Sequence, residues 1–86
     1  MNKVWSDDAW EDYLHWEGQD RKTLGRINGL LKDIGRNGHE GIGKPEPLKH
    51  GLAGYWSRRI DDVNRQVYII ENEQIEMIQC RTHCDD

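Results

Sequence analysis

Leu24, Ile27, Leu30, Leu31 and Ile34 recur at spacings of three and four, which places them along one side of an α-helix and creates a face that must be covered. Gly25 and Gly29 lie within this pattern and each costs about 1 kcal/mol against Ala, so packing rather than propensity has to hold the helix. Asp20 stands in front of it as an N-cap, and Gly35 is expected to end it. Upstream, Asn2 to Trp5 reads as a short strand. Ser6 then reads as the N-cap of a first helix, with Asp7 and Asp8 at the positive end of its dipole and Trp5 placed as a hydrophobic staple. Trp10, Tyr13, Leu14 and Glu17 mark one face of that helix, which Gly18 closes.

Residues 35–50 contain Gly35, Gly38, Gly41, Gly43, Pro45 and Pro47, a composition that neither a helix nor a central strand tolerates. A loop of about fifteen residues is expected, and ordered loops of that length are usually functional. Pro45 and Pro47 stiffen the chain on both sides of Glu46 and hold its carboxylate. Three β-type runs follow, at 55–60, 65–70 and 74–81. The expected fold class is therefore α+β with the order βααβββ, two N-terminal helices packed on a mainly antiparallel sheet. Alternation groups Arg65 with Val67 and Ile69, and puts Ile75, Met77, Gln79, Arg81 and His83 on one parity, with a polar end at Arg81 and His83.

Eighty-six residues suffice for one small domain, 1–86, and not for a second core. No run approaches a membrane span, and a cytoplasmic protein without membrane contact is expected. The net charge of -4 is unevenly spread: residues 1–20 carry net -5, residues 21–60 net +6 and residues 61–86 net -5. The central block can meet phosphates, although the acidic total argues against non-specific nucleic-acid binding. Cys80 and Cys84 are too few for a disulfide framework and are expected to stay reduced. Cys80, His83 and Cys84 form only a weak metal-ligand pattern, so neither a metal nor a cofactor is expected. His15, His39 and His50 are read as surface or packing residues, and Trp5, Trp10, Trp16 and Trp56 as core or interface anchors.

Metal-free RNA cleavage requires a base for the 2′-hydroxyl proton, an acid for the departing 5′-oxygen, and cations around the phosphorane. Glu46 and His83 can take the two proton-transfer roles. Arg65, Arg58, Arg59, Lys44 and Lys49 can supply phosphate contacts, bidentate from Arg and as a point charge from Lys.

Several blocks carry a resemblance across nearly the whole chain. They are Val4-Trp5-Ser6, Trp10-Glu11-Asp12-Tyr13-Leu14, Arg26-Ile27-Asn28, Gly43-Lys44-Pro45-Glu46-Pro47-Leu48-Lys49-His50, Trp56-Ser57-Arg58-Arg59-Ile60, Arg65-Gln66-Val67-Tyr68 and Cys80-Arg81-Thr82-His83. In these the sequence resembles the YoeB toxins of the RelE superfamily, mRNA interferases of bacterial type II toxin–antitoxin systems. The resemblance implies a microbial-RNase-like fold that enters the ribosomal A site and cuts mRNA by 2′-hydroxyl attack. By that similarity Glu46 matches the general base, His83 the general acid and Arg65 the residue that stabilises charge on the phosphate. Lys49 and Arg59 match accessory phosphate contacts. It further implies a YefM-type antitoxin, a homodimer, and operator DNA reached only through the antitoxin complex. The tail differs from the usual family ending: Thr82 and Cys84 flank His83 where aromatic residues are common, and Asp85 and Asp86 follow. A module that blocks the ribosome by occupancy, without efficient cutting, is the alternative function.

Overall fold

The computed structural model describes residues 1–49, 51 and 53–82. The chain runs through β1 (Asn2–Trp5), α1 (Asp7–Gln19), α2 (Arg21–Asn37), β2 (Glu46–Pro47), β3 (Trp56–Arg59), β4 (Arg65–Glu71) and β5 (Gln74–Gln79). The five strands form one sheet in the order β1-β5-β4-β3-β2. The β1–β5 pair is parallel and the others are antiparallel, so the sheet is mainly antiparallel as expected.

Both helix starts follow from the sequence. Ser6 accepts from Ala9 N–H at 3.0 Å and donates its own hydroxyl to Ile78 O at 3.0 Å, so one side chain caps α1 and fastens it to β5. Trp5 packs edge-on against Trp10, with centroids 5.9 Å apart, and so acts as the staple. At the start of α2, Asp20 accepts from Lys22 N–H and Thr23 N–H, and bonding to Thr23 draws its carboxyl below the usual range. Ile27, Leu30, Leu31 and Ile34 are buried along α2. Leu31 and Ile34 meet Ala9, Tyr68, Ile75 and Met77 in one cluster, while Ile27 and Leu30 meet Ile60 and Cys80 in another.

Four expectations need correction. The second helix does not end at Gly35: it continues to Asn37, with Arg36 in the last turn complementing the dipole and Gly38 capping it at φ +65°. The first helix likewise runs past Gly18 to Gln19. The expected long loop is interrupted by β2, whose two residues pair with β3 through Glu46↔Ser57 and Pro47↔Trp56. The prolines conceal this strand, which they can join only because it lies at the sheet edge. Finally, β5 stops at Gln79 instead of Arg81. Cys80 N–H turns to the Asp12 carboxylate at 3.1 Å and Cys80 O accepts from Trp16 Nε1 at 2.8 Å, so helix side chains take over from the ladder. Arg81 therefore has no strand parity to share with Met77.

Cys80 is a buried free thiol 3.6 Å from Ala9 O, which places it in the core. Burial and the nearby Asp12 push its pKa up to about 12. Alkylation of folded protein at about pH 8, followed by peptide mass spectrometry, should leave Cys80 unmodified, whereas denatured protein should label fully. Trp5, Trp16 and Trp56 are partly buried against the core. Trp10 lies outside the core, being 47% exposed and stacked on Tyr13 with centroids 5.7 Å apart.

The segment between Asn37 and Glu46 holds its shape through buried polar contacts. His39 lies flat on Trp56, with centroids 4.1 Å apart and planes 9° apart, and its buried Nδ1 has no hydrogen-bond partner among the described residues. Burial, reinforced by Arg58, lowers its pKa from 6.5. A histidine with a folded pKa below its unfolded value gives stability that is complete above the unfolded pKa and is lost as pH falls from there towards the folded value. The melting temperature should thus drop as pH falls below about 6.5, and by less in His39→Phe, which keeps the stacking ring without the titration.

Candidate active site

Directly paired residues on antiparallel strands present their side chains to the same face. The pairs Glu46↔Ser57, Ser57↔Val67 and Arg59↔Arg65 therefore put Glu46, Ser57, Arg59 and Arg65 on the face opposite the helices. The other parity, Trp56, Arg58, Gln66 and Tyr68, turns towards the helices. Arg65 bridges two strands to donate from Nη1 to Glu46 Oε1 at 3.3 Å. Both side chains are open to solvent, at 42% for Arg65 and 59% for Glu46. Beside them Glu46, Pro47, Leu48 and Lys49 line a surface depression. Lys44 is exposed two residues before Glu46, with φ +50°.

Three of the expected cations thus border the carboxylate in sequence or space: Arg65 by a direct contact, Lys49 along the depression, and Arg59 as the register partner of Arg65. Arg59 is held from both sides, its N–H donating to Gly43 O at 2.6 Å and its carbonyl accepting from Arg26 Nη2 at 3.1 Å. Arg58 does not join them. It is fully buried, and its guanidinium donates to Asp33, to Tyr68 Oη at 3.3 Å and to the carbonyls of Ile42, Gly38 and Glu40 at 3.0, 2.7 and 3.0 Å. The adjacent arginines look alike in sequence, but strand alternation sends one to each face, so the expected phosphate contact by Arg58 gives way to an internal one.

His83 lies outside the described residues, as do Cys84, Asp85 and Asp86. The residue before it is fastened: Thr82 N–H donates to Asn64 Oδ1 at 3.0 Å and Thr82 Oγ1 to Val63 O at 2.6 Å. Asn64 immediately precedes Arg65, so Thr82 itself lies at the Arg65 end of the sheet. The turn that receives it is rigid, because Asp61 accepts from Val63 N–H and Asn64 N–H at 2.8 and 2.6 Å. Two neighbours were not singled out from the sequence. Asp33 is the carboxylate partner of Arg58, and that hydrogen bond draws its carboxyl below the usual range. Ser57 is fully buried beside Glu46 with Oγ unpaired among the described residues. Only the alternation of Ser57-Arg58-Arg59 across a strand could have signalled either. Among the described residues no group of three His, Cys, Asp or Glu side chains is placed to hold a metal ion.

A family model described as a YoeB-like toxin of a bacterial type II toxin–antitoxin system matches residues 5–84. The chain belongs to the YoeB family. It is 46% identical to Toxin YoeB of Escherichia coli and 51% identical to Toxin YoeB of Streptomyces coelicolor, in each case over 96% of this chain and 99% of the relative. The fold agrees with a YoeB/ParE toxin from Agrobacterium tumefaciens at a TM-score of 0.93 and 44% identity, covering 96% of this chain and 99% of that one. A YoeB dimer from Staphylococcus aureus superposes at a TM-score of 0.91 with 46% identity, over 96% and 97% of the two chains. YafQ from E. coli, at 14% identity and a TM-score of 0.78 over 96% and 93%, shares the fold alone. This YoeB-family chain is thus a toxin of the type II toxin–antitoxin class, and its Glu46–Arg65 pair lies within the matched region. No helix among the described residues is long and apolar enough to cross a membrane.

Proposed function

We propose that this chain is a ribosome-dependent, metal-independent endoribonuclease that cuts mRNA in the A site and thereby stops translation in the cytoplasm. The observation that carries the reading is the Glu46–Arg65 pair on the open sheet face, a carboxylate and a guanidinium in direct contact at 3.3 Å. An exposed pair of this kind is worth about 0–1 kcal/mol, so a phosphate can draw Arg65 away from Glu46 at little cost. Glu46 then takes the proton of the 2′-hydroxyl, and O2′ attacks phosphorus. Arg65 faces the charge that grows on the non-bridging oxygens, with Arg59, Lys49 and Lys44 holding the flanking phosphates. The bond from phosphorus to O5′ breaks, and His83 gives the leaving oxygen its proton. The products are a 2′,3′-cyclic phosphate and a free 5′-hydroxyl.

Arg58, with no donor turned outward, is not assigned a substrate contact. His83 is assigned as the acid by similarity to the family; the residue before it, Thr82, donates its N–H to Asn64, the neighbour of Arg65. The YoeB of S. aureus occurs as a dimer and as a heterotetrameric complex with YefM. By similarity we assign this chain a homodimeric state and a YefM-type antitoxin as its inhibitor, with operator DNA reached only through that complex.

Primer extension on a reporter mRNA in a purified translation system tests the reading. Cuts at A-site codons that require ribosomes, are absent with the free protein, and vanish in His83→Gln are expected. An intact message with translation still blocked would replace cleavage by occupancy of the ribosome.

A further inference from the structure

Arg58 makes more contacts than a core ion pair requires. Its guanidinium uses Nε, Nη1 and Nη2 to gather Tyr68 Oη, the Asp33 carboxylate and the carbonyls of Gly38, Glu40 and Ile42. Asp33 completes the arrangement by accepting from Ile42 N–H at 3.1 Å and Asn37 Nδ2 at 2.7 Å. One planar group therefore fixes the path of residues 38–42. From Ile42 only Gly43, Lys44 and Pro45 remain before Glu46, and that link has little slack. Gly43 sits at φ +82° with no room for a Cβ, its carbonyl is held by Arg59 N–H, and Pro45 fixes its own φ. On the strand side, Arg58 lies between Ser57, the register partner of Glu46, and Arg59, the register partner of Arg65.

We infer that Arg58 is a positioning residue, which sets the Glu46 carboxylate against Arg65 by anchoring both the loop that delivers Glu46 and the strand on which it pairs. The inference rests on the endonuclease reading above. For stability alone, an apolar side chain of similar volume often serves as well as a buried ion pair, since burying the charges costs desolvation. What an apolar chain cannot do is hold three carbonyls and a carboxylate in one plane. Lys cannot either, having three donors on a single rotating nitrogen in place of a fixed fork.

The test compares Arg58→Lys and Asp33→Asn with a core variant, Ile75→Val or Ile75→Ala, chosen to match Arg58→Lys in melting temperature. Cleavage is measured on programmed ribosomes well below that temperature, with amide exchange at residues 42–46 recorded on the same proteins. Arg58→Lys is expected to lose about 10- to 100-fold in kcat with KM little changed, because a misplacement near 1 Å can cost that much. Asp33→Asn should lose less in the same direction, both should exchange faster at residues 42–46, and the Ile75 variant should do neither. Equal kcat and equal exchange in Arg58→Lys and the matched core variant would overturn the inference. A wild-type protein that cuts no message overturns the nuclease reading instead, and the exchange arm then decides alone whether Arg58 holds the Glu46 segment.

Discussion

Glu46→Gln should lower the rate of mRNA cleavage by about 10²- to 10⁴-fold, the range that one positioned proton-transfer group contributes. Glutamine keeps the shape and can still accept from Arg65 Nη1, so the β2–β3 pairing and the fold should survive while the proton acceptor is lost. Arg65→Ala should cost about 10²-fold or more by removing the cation that faces the developing charge. The two effects should not add in full when combined, because the groups touch at 3.3 Å and act on one phosphate. Single-turnover primer extension measures the rates, and circular dichroism melting checks that the folded fraction is unchanged. Wild-type cleavage by Glu46→Gln would remove Glu46 from the chemistry.

Gly41→Ala should be the most damaging small substitution in the loop that leads to Glu46. Gly41 has φ +125°, a region open essentially to glycine, and a Cβ there would lie 1.9 Å from Asp33 Oδ2. That oxygen cannot yield easily, since Arg58 and Ile42 N–H both hold it. Backbone strain of about 1–3 kcal/mol and a forced overlap of similar size together cost about 2–6 kcal/mol. At about 4–8 °C per kcal/mol for a domain of this size, the melting temperature should fall by about 8 °C or more. Gly29→Ala is the contrasting control, as its Cβ would meet nothing within 4 Å in a helix where alanine is favoured. A thermal melt of Gly41→Ala that overlays the wild type would show that the loop does not depend on this contact.

The helices were legible because the row from Leu24 to Ile34 is long and periodic, and because Ser6 and Asp20 cap where their spacing says they should. The β4 and β5 runs were legible for the same reason at period two. What the sequence concealed was set by partners distant along the chain. β2 shows no strand propensity and exists because β3 offers it an edge. The end of β5 is decided by Asp12 and Trp16, more than sixty positions earlier. The helix passes Gly35 because Asn37 Nδ2 donates to Asp33 one turn back and Gly38 supplies the positive-φ cap.

At the site, Glu46 and Arg65 were legible through their chemistry and their resemblance to a known family, and the structure brings them into contact. Arg58 and Arg59 could be separated only once the register was known, since adjacent identical residues carry no sign of which one faces inward. The prolines around Glu46 did indicate a restrained backbone, which pairs with β3, while the carboxylate itself stays 59% exposed. The main restraint, however, lies upstream in a guanidinium whose partners are mostly backbone carbonyls, which no side-chain pattern records.

The parallel pairing of β1 with β5 bears on when the molecule can first exist. Asn2 pairs with Gln74 and Trp5 with Met77, so one edge of the sheet joins residues about seventy positions apart. Pairings this distant in sequence form late and slowly, because the intervening chain must be ordered before they contribute. Ser6 makes the dependence stronger, since the hydroxyl that caps α1 also donates to Ile78 O. During synthesis, the N-terminal strand and helix must therefore wait, with Trp5 and Trp10 exposed, until residues 74–78 are available to pair. Biosynthesis thus imposes a delay of its own: a nascent chain lacks its completed sheet until residues 74–77, some seventy positions after β1, have left the ribosome.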